Sequence, residues 1–232
     1  MVSYKNLFIR RDIIYSKIYK AATACNRDMQ SITIIAVTKN HPAPIWETAL
    51  NLGIQHIGEN KIQETIQKKI KFSSKEKIIF HLIGHLQKNK TRKAIEIYDV
   101  IQTVDSLELA KKINNISKEI NKVQEIYIQT NTSKDPKKFG MSINKTMDVS
   151  QEITSMKNLK LTGVMTIPKE GLSNKELSNT YQKTRQIKNQ IQKNINKDCK
   201  NLSMGMSNDY EIAIQEGATH IRIGTALFGM RK

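Results

Sequence analysis

Lys39 stands where a lysine can form a covalent bond to a ligand. It follows the β-branched apolar run Ile32–Val37, and Pro42 comes shortly after it. An apolar run that does not alternate with polar residues predicts a strand buried on both faces, as in a parallel sheet. Thr38 and Lys39 then end this strand at the sheet edge where parallel α/β proteins bind ligands. The alternative is a strand that simply ends at an exposed lysine, since lysines are abundant in this chain.

Two later segments have the composition of an anion-binding site. Met204–Asp209 and Ile223–Ala226 each bring a hydroxyl, that of Ser207 or Thr225, to the point where a predicted strand passes into a helix. Backbone amides at such a point lack intrahelical partners and bind phosphate readily. Either hydroxyl alone is typical of ordinary helix N-capping. The two together, at the ends of neighbouring strands, indicate a phosphate-binding site.

The lysine and the phosphate site together predict a phosphorylated carbonyl ligand. Burial at the mouth of a barrel would lower the pKa of Lys39 and favour the neutral amine, which attacks a carbonyl to form a Schiff base. Two ligand classes fit this arrangement: a sugar phosphate in a lysine-dependent aldolase, and pyridoxal 5′-phosphate (PLP). On these residues alone, both classes remain open.

Short apolar strands alternate with helical patterns along the whole chain. The eight predicted strands are Ile32–Val37, Gln55–Gly58, Ile78–Gly84, Val100–Thr103, Glu125–Thr130, Leu159–Met165, Asn201–Ser203 and Thr219–Ile223. This order predicts one (β/α)8 TIM barrel domain over residues 1–232, with an extra N-terminal helix within residues 1–28 packed on it. An open doubly wound sheet is the alternative fold, but Thr38–His41 has no glycine for a dinucleotide-binding turn.

The composition narrows the classes of partner. The formal net charge is +17, but the lysines are spread through every segment, which indicates solvated surfaces and no specific nucleic-acid site. Cys25 and Cys199 lack metal-ligand spacing, and no secretory signal precedes them, so we expect reduced thiols and no metal site. Because no apolar stretch is long enough to cross a bilayer, we expect a cytoplasmic monomer that does not bind membranes.

Six segments along the chain carry a resemblance to a known family. They are Ala36–Lys39, Gly58–Glu64, His81–Lys90, Gly163–Ile167, Ser203–Ser207 and Arg222–Gly229. In this order they resemble the successive motifs of the YggS/PROSC family, the pyridoxal phosphate homeostasis proteins. The resemblance covers the chain from Ile34 to Gly229. Two places depart from the family pattern: His85 stands where the family usually has proline, and Ile101–Val104 differs from the usual His-Ser-Val.

The resemblance implies a fold-type III PLP-binding barrel, similar to the N-terminal domain of alanine racemase, with PLP as an internal aldimine on Lys39. It gives the phosphate to Ser207, Gly224 and Thr225. It also puts Arg222 opposite the pyridine nitrogen, where a cation keeps that nitrogen unprotonated and the ring a weak electron acceptor. The residues expected to contact the cofactor are Lys39, Asn60, Met206, Ser207, Arg222, Gly224 and Thr225, with His81, Met165 and Ser203 just behind them.

Two classes of function remain open. The first is a protein that holds PLP for intracellular PLP homeostasis without dedicated turnover, with PLP-dependent apoenzymes as acceptors. The second is an enzyme, either an alanine-racemase-like amino-acid racemase or a Schiff-base aldolase. A racemase of this type needs a second base, which its relatives supply as a tyrosine from an additional β-domain, and the sequence ends at Lys232 without one. We therefore expect a PLP-binding protein and not an enzyme.

Overall fold

Eight parallel strands form a closed barrel in the computed structural model, which describes residues 4–74, 76–133, 135 and 138–230. Each strand pairs with the next along the chain, and the first pairs with the last. This confirms the predicted (β/α)8 barrel. The strands are β1 Thr33–Val37, β2 His56–Glu59, β3 Ile79–Leu82, β4 Val100–Val104, β5 Gln124–Gln129, β6 Leu159–Met165, β7 Asn201–Met206 and β8 His220–Ile223.

The helices of the described residues surround the strands. They are α1 Tyr4–Thr23, α2 Ile45–Asn51, α3 Ile62–Lys71, α4 Thr91–Ile97, α5 Leu107–Glu119, α6 Ile143–Ile153, α7 Asn174–Asn194, α8 Tyr210–Gln215 and α9 Thr225–Phe228. Local sequence sets several helix starts. Ser173 caps α7 by accepting from the amide of Glu176, whose carboxylate accepts in return from Ser173, which forms a capping box. Ser106 caps α5 with its side-chain oxygen alone.

The predicted N-terminal helix is α1, and it packs on the outside of the barrel against α8 and α9. Its buried side includes Leu7, Ile14 and Ile18, spaced to share one helical face. The helix ends at Thr23, earlier than the predicted segment, and residues 1–3 of that segment lie outside the described residues. Lys17 forms an ion pair with Glu211 of α8, with Nζ and Oε1 2.9 Å apart.

The end of β7 differs from the sequence-based prediction. Met204 and Gly205, predicted as part of a turn, belong to the strand, which continues to Met206. The pairing of β7 with β8 shifts register between Ser203 and Met206, and Gly205 at this irregularity has φ of 90°. Because glycine adopts positive φ without strain, the strand bulges and continues instead of ending.

Apolar side chains fill the space between the strands and the surrounding helices, whereas the inside of the barrel is largely polar. A separate small apolar cluster of Val100, Tyr127 and Met165 packs inside. The polar side chains buried there include His81, Gln102, Ser203, His220 and Arg222. None of the helices in the described ranges is both long and apolar enough to cross a membrane.

The buried histidines predict a loss of stability in acid. Burial lowers the pKa of His81 well below its usual value and that of His220 to about 3, and neighbouring histidines add to both shifts. Below the usual histidine pKa of about 6.5, the unfolded chain therefore binds protons that the folded barrel excludes. The free energy of unfolding should fall with pH from about 6.5 downward, by up to about 1.4 kcal/mol per pH unit for each such histidine.

Urea unfolding at pH 7.5 and pH 5.0 checks this expectation. The variant His220→Gln should lose less stability between the two pH values than the parent protein, even if its stability at pH 7.5 is lower. His85→Gln is the matched control, because the His85 side chain is 35% exposed and pairs with Asp105 at the surface. Equal pH dependence in the parent and His220→Gln would mean that His220 does not contribute to acid sensitivity.

Candidate functional site

A cavity of about 710 Å³ opens at the carboxyl ends of the strands. Residues that follow β1, β2, β7 and β8 form one side of it, and the β6–α7 loop, residues 167–172, forms the other. All seven residues predicted to contact a cofactor line this cavity: Lys39, Asn60, Met206, Ser207, Arg222, Gly224 and Thr225. The three residues predicted just behind them, His81, Met165 and Ser203, are not in its wall.

Barrel closure brings Lys39 next to the end of β8. In the pairing of β1 with β8, Ile35 lies opposite Arg222 and Ala36 opposite Ile223. Gly224 follows at the point of closest approach, where a Cβ atom would lie 3.3 Å from the carbonyl oxygen of Val37. A side chain there would crowd β1, so glycine allows the two strand ends to meet.

Ser207 binds the backbone of the next strand end and not of its own helix. Its Oγ accepts hydrogen bonds from the amides of Gly224, at 3.3 Å, and Ala226, at 3.2 Å. The residue that precedes α8 is Asp209, whose carboxylate accepts from the amide of Met206 at 2.5 Å. The alternative that Ser207 is an ordinary N-cap of α8 is therefore wrong. Ser207, Gly224 and Thr225 line the cavity, and Ala226 joins them through its bond to Ser207. We call these four residues the phosphate cup, after the group that the sequence predicts them to bind.

Arg222 is a buried cation in the floor of the cavity, with only 3% of its surface exposed. Its Nη1 donates to Ser203 Oγ and its Nη2 to the carbonyl oxygen of Thr166, both at 2.8 Å. Burial lowers the pKa of this guanidinium, and nearby Tyr181 and Asp209 act in the opposite direction. The two hydrogen bonds fix the plane of the guanidinium, so the cation has one orientation relative to the cavity.

A hydrogen-bonded chain continues from Arg222 into the barrel. Ser203 Oγ donates to Gln102 Oε1 at 2.7 Å. Gln102 Nε2 lies 2.9 Å from His81 Nδ1, and His81 Nε2 lies 2.9 Å from His56 Nδ1. Because Gln102 accepts from Ser203 through Oε1, its Nε2 donates to His81 Nδ1, and His81 then carries its proton on Nε2. We call these five residues the polar chain.

The polar chain accounts for two of the three residues predicted behind the site. His81 and Ser203 lie beneath the cavity and connect to it through Arg222. Met165 instead packs with Val100 and Tyr127 inside the barrel. Sequence reasoning missed Gln102, although a glutamine within the otherwise apolar strand β4 was a signal that it faces a polar interior.

Asn60 lines the cavity and has a buried side-chain oxygen. Its Oδ1 is buried and has no hydrogen-bond partner within the described ranges. The loop after β3 approaches it closely, since a Cβ atom on Gly84 would lie 2.3 Å from the Asn60 carbonyl oxygen. A buried amide oxygen in a cavity wall suits a ligand that donates a hydrogen bond, such as one with a hydroxyl group.

His85, one of the two departures noted in the sequence, lies at the rim and outside the cavity wall. Its ring stacks on Phe139 with centroids 3.9 Å apart and planes at 11°. Its Nδ1 lies 3.1 Å from Asp105 Oδ2. These contacts join the loops after β3, β4 and β5, and His85 is not among the residues that line the cavity.

The fold and the site together define a barrel of the alanine racemase N-terminal type, with a lysine and a phosphate cup at its mouth. The family model for the alanine racemase N-terminal domain matches residues 13–232. An alanine racemase from Clostridium difficile 630 shares the fold, with a TM-score of 0.69 at 16% identity over 96% of this chain and 57% of that chain.

Closer relatives identify the family within this class. A pyridoxal phosphate homeostasis protein from Synechocystis sp. is 36% identical over 201 residues, which are 87% of this chain and 92% of the relative. The structure of PipY from Synechococcus elongatus PCC7942 with PLP bound has a TM-score of 0.82 at 33% identity, over 92% of this chain and 100% of that chain. The chain belongs to the pyridoxal phosphate homeostasis protein family, as its motifs predicted.

Removing both hydroxyls of the phosphate cup should weaken the binding of a phosphorylated ligand. Ser207→Ala with Thr225→Ala removes two hydrogen-bonding groups, each contributing about 1.5–3 kcal/mol to binding a charged group, less where backbone amides compensate. During dialysis the double variant should release PLP, the phosphorylated probe, at least about tenfold faster than the parent.

The matched control removes two hydroxyls far from the cavity. Thr154→Ala with Ser155→Ala alters exposed residues that bond to their own helix α6, and retention of the probe should equal that of the parent. Equal retention by the phosphate-cup double variant would show that the phosphate binds elsewhere.

Proposed function

We propose that this protein binds PLP, holds it as an internal aldimine on Lys39 and serves intracellular PLP homeostasis without dedicated catalytic turnover. The observation that carries the proposal is the convergence of Lys39, Arg222 and the phosphate cup on one cavity. Membership of the pyridoxal phosphate homeostasis protein family supports it, and so does the likeness to PLP-bound PipY.

The residues of the cavity fit the chemical groups of PLP. When bound, PLP supplies an aldehyde that condenses with an amine and a pyridine ring that withdraws electrons. Lys39 carries the amine, and the phosphate cup offers hydroxyl and amide groups for the phosphate. Asn60 offers a buried acceptor for a hydroxyl, and Arg222 a donor for the ring nitrogen.

Arg222 argues against strong catalysis. Ser203 and Thr166 hold its guanidinium in place, and a guanidinium stays charged and has no acceptor to offer. Beside the ring nitrogen, such a cation disfavours protonation of that nitrogen. The ring then stabilises a carbanion weakly, which supports binding and storage over turnover.

Among the described residues, the cavity wall shows no tyrosine in the role of a second base for racemisation. In the part of the chain that the structure describes, no tyrosine, histidine or cysteine lines it. Its carboxylates are Glu170 and Asp209; Glu170 pairs with Lys138 at 3.6 Å with its side chain 95% exposed, and Asp209 accepts from Met206. No observation favours the racemase or the aldolase over the binding function.

The proposal extends to delivery of PLP. PLP-dependent apoenzymes would be the acceptors, and the protein would act as a monomer in the cytoplasm. The net charge of +17 has no role in this proposal.

Changing Lys39 should abolish the covalent attachment of PLP without unfolding the barrel. Its side chain follows β1 and faces the cavity, so Lys39→Ala loses a bond to the ligand and little core packing. Lys39→Arg should fail as well, because a guanidinium stays protonated and forms no imine. After borohydride reduction, peptide mapping should find the adduct on Lys39 in the parent protein and no single adduct site in either variant.

Lys169→Ala provides a control for this mapping, since Lys169 also lines the cavity. That variant should keep the reduced adduct on Lys39. A reproducible adduct on another single lysine of the parent would contradict the role given to Lys39.

The protein should racemise alanine poorly. With the ring nitrogen unprotonated and no second base in the described cavity wall, turnover of L- or D-alanine should stay well below ~1 s⁻¹, the low end of ordinary enzymes. Chiral chromatography of the incubated amino acid measures it, with an alanine racemase at the same PLP concentration as positive control. A turnover near ~1 s⁻¹ would rule out a purely binding function.

A further inference from the structure

Three charged side chains lie beneath Lys39, on the outer side of the strands. Lys68 Nζ is 2.7 Å from Glu59 Oε1 and 2.7 Å from Glu64 Oε1. Lys68 is 4% exposed, and Glu59 is fully buried. We call Glu59, Glu64 and Lys68 the charged trio. The trio lies outside the cavity wall, and the function proposed above assigns it no role.

The trio binds the peptide group on the amino side of Lys39. Lys68 Nζ donates to the carbonyl oxygen of Thr38 at 2.7 Å. The Thr38 hydroxyl donates to Glu59 Oε1 at 2.6 Å, and the indole of Trp46 donates to the same carboxylate oxygen at 3.1 Å. Thr38 is therefore held through both its carbonyl and its side chain.

The trio also binds the peptide group on the carboxyl side of Lys39. The amide of Asn40 donates to Glu64 Oε1 at 2.6 Å, the same oxygen that contacts Lys68. Asn40 has φ of 62°, a left-handed conformation that is unfavourable for most residues and tolerated by asparagine. The contact with Glu64 stabilises this conformation.

We propose that Glu64 and Lys68 are positioning residues for Lys39, because together they hold both peptide groups that flank it. Fixing these two groups fixes φ and ψ of Lys39, and so the direction in which its side chain enters the cavity. The inference rests on the proposed function, in which the Lys39 amine reacts. Glu64 and Lys68, on the opposite face of the sheet, then set the direction from which this amine reacts.

Stability alone gives a poor account of the trio. A buried ion pair often contributes no more than apolar side chains of similar size. Apolar residues here would leave the carbonyl of Thr38 and the amide of Asn40 without these partners. The hydrogen bonds on either side of Lys39 are the contribution that requires charged groups.

Glu64→Ala and Glu64→Gln form the pair of variants that tests the inference. The glutamine keeps an oxygen that accepts from the Asn40 amide, whereas alanine does not. Both remove the negative charge, so any effect of that charge on the Lys39 amine is common to both. Glu47→Ala, which removes an exposed carboxylate from α2, is the matched control.

The first measurement needs no cofactor. Hydrogen exchange at the Asn40 amide should be at least about tenfold faster in Glu64→Ala than in the parent, and within about threefold of it in Glu64→Gln. The second is the rate at which added PLP forms a borohydride-reducible adduct on Lys39. That rate should fall about tenfold in Glu64→Ala only, since small misplacements of a reacting group cost this much or more.

A third measurement separates positioning from general damage to the site. In the Lys39→Ala background, Glu64→Ala should leave the noncovalent affinity for PLP within about twofold, because the phosphate cup lies on other strands. If Glu64→Ala does not fold, Glu64→Asp, which shortens the side chain and keeps its charge, takes its place. Unchanged exchange at Asn40, or an adduct rate equal to that of the parent, would overturn the inference.

Failure of this inference can be told apart from failure of the proposed function. If the parent forms no PLP adduct on Lys39, the proposed function fails, and labelling of the Lys39 amine by trinitrobenzenesulfonate, mapped by peptide mass, replaces the adduct rate. A labelling rate that changes in Glu64→Ala and not in Glu64→Gln supports the positioning role of Glu64. Equal rates in both variants and the parent contradict it.

Discussion

Hydrogen bonds between β1 and β8, with Thr33 paired to His220 and Ala36 to Ile223, close the sheet into a barrel. Without this pairing, Lys39 and the residues after β8 would lie at opposite edges of an open sheet. With it, the amine, the buried guanidinium and the phosphate cup meet at one mouth, although they come from the two ends of the sequence. Gly224 belongs to the same constraint, because a Cβ atom there would lie in tight contact, 3.3 Å from the carbonyl oxygen of Val37.

Two cations in the described part of the chain are buried on opposite faces of this sheet, and their partners differ. Lys68 lies on the outer face, and two carboxylates neutralise it directly. Arg222 lies on the inner face, where its recorded hydrogen bonds go to a hydroxyl and a carbonyl oxygen. Neutral oxygens satisfy hydrogen bonds without cancelling charge, so Arg222 is offset only through nearby Asp209, whereas Lys68 is neutralised by its direct partners. One cation therefore binds the backbone, and the other lines the cavity.

Local patterns in the sequence predicted the strands well, because a strand buried on both faces reads as a continuous apolar run. They also predicted Lys39, Ser207 and Thr225 at the mouth, since strand order determines which ends meet, whereas Arg222 was predicted there by the family resemblance. Contacts distant in sequence were beyond such patterns. The capping pattern at Ser207 suggested its own helix, but the hydroxyl binds amides after β8. The bulge that extends β7, the place of Met165 and the partners of Gln102 and Lys68 likewise depend on residues from other strands.

The fixed direction of the polar chain has a consequence for proton movement. A hydrogen-bonded chain conducts protons only if each link can pass one on and then reverse. Arg222 cannot accept, and the amide of Gln102 would have to adopt an unfavourable imidic form. The chain runs from the floor of the cavity to His56 at the amino ends of the strands, where a second, smaller cavity opens. The polar chain is thus an insulator for protons between the two cavities.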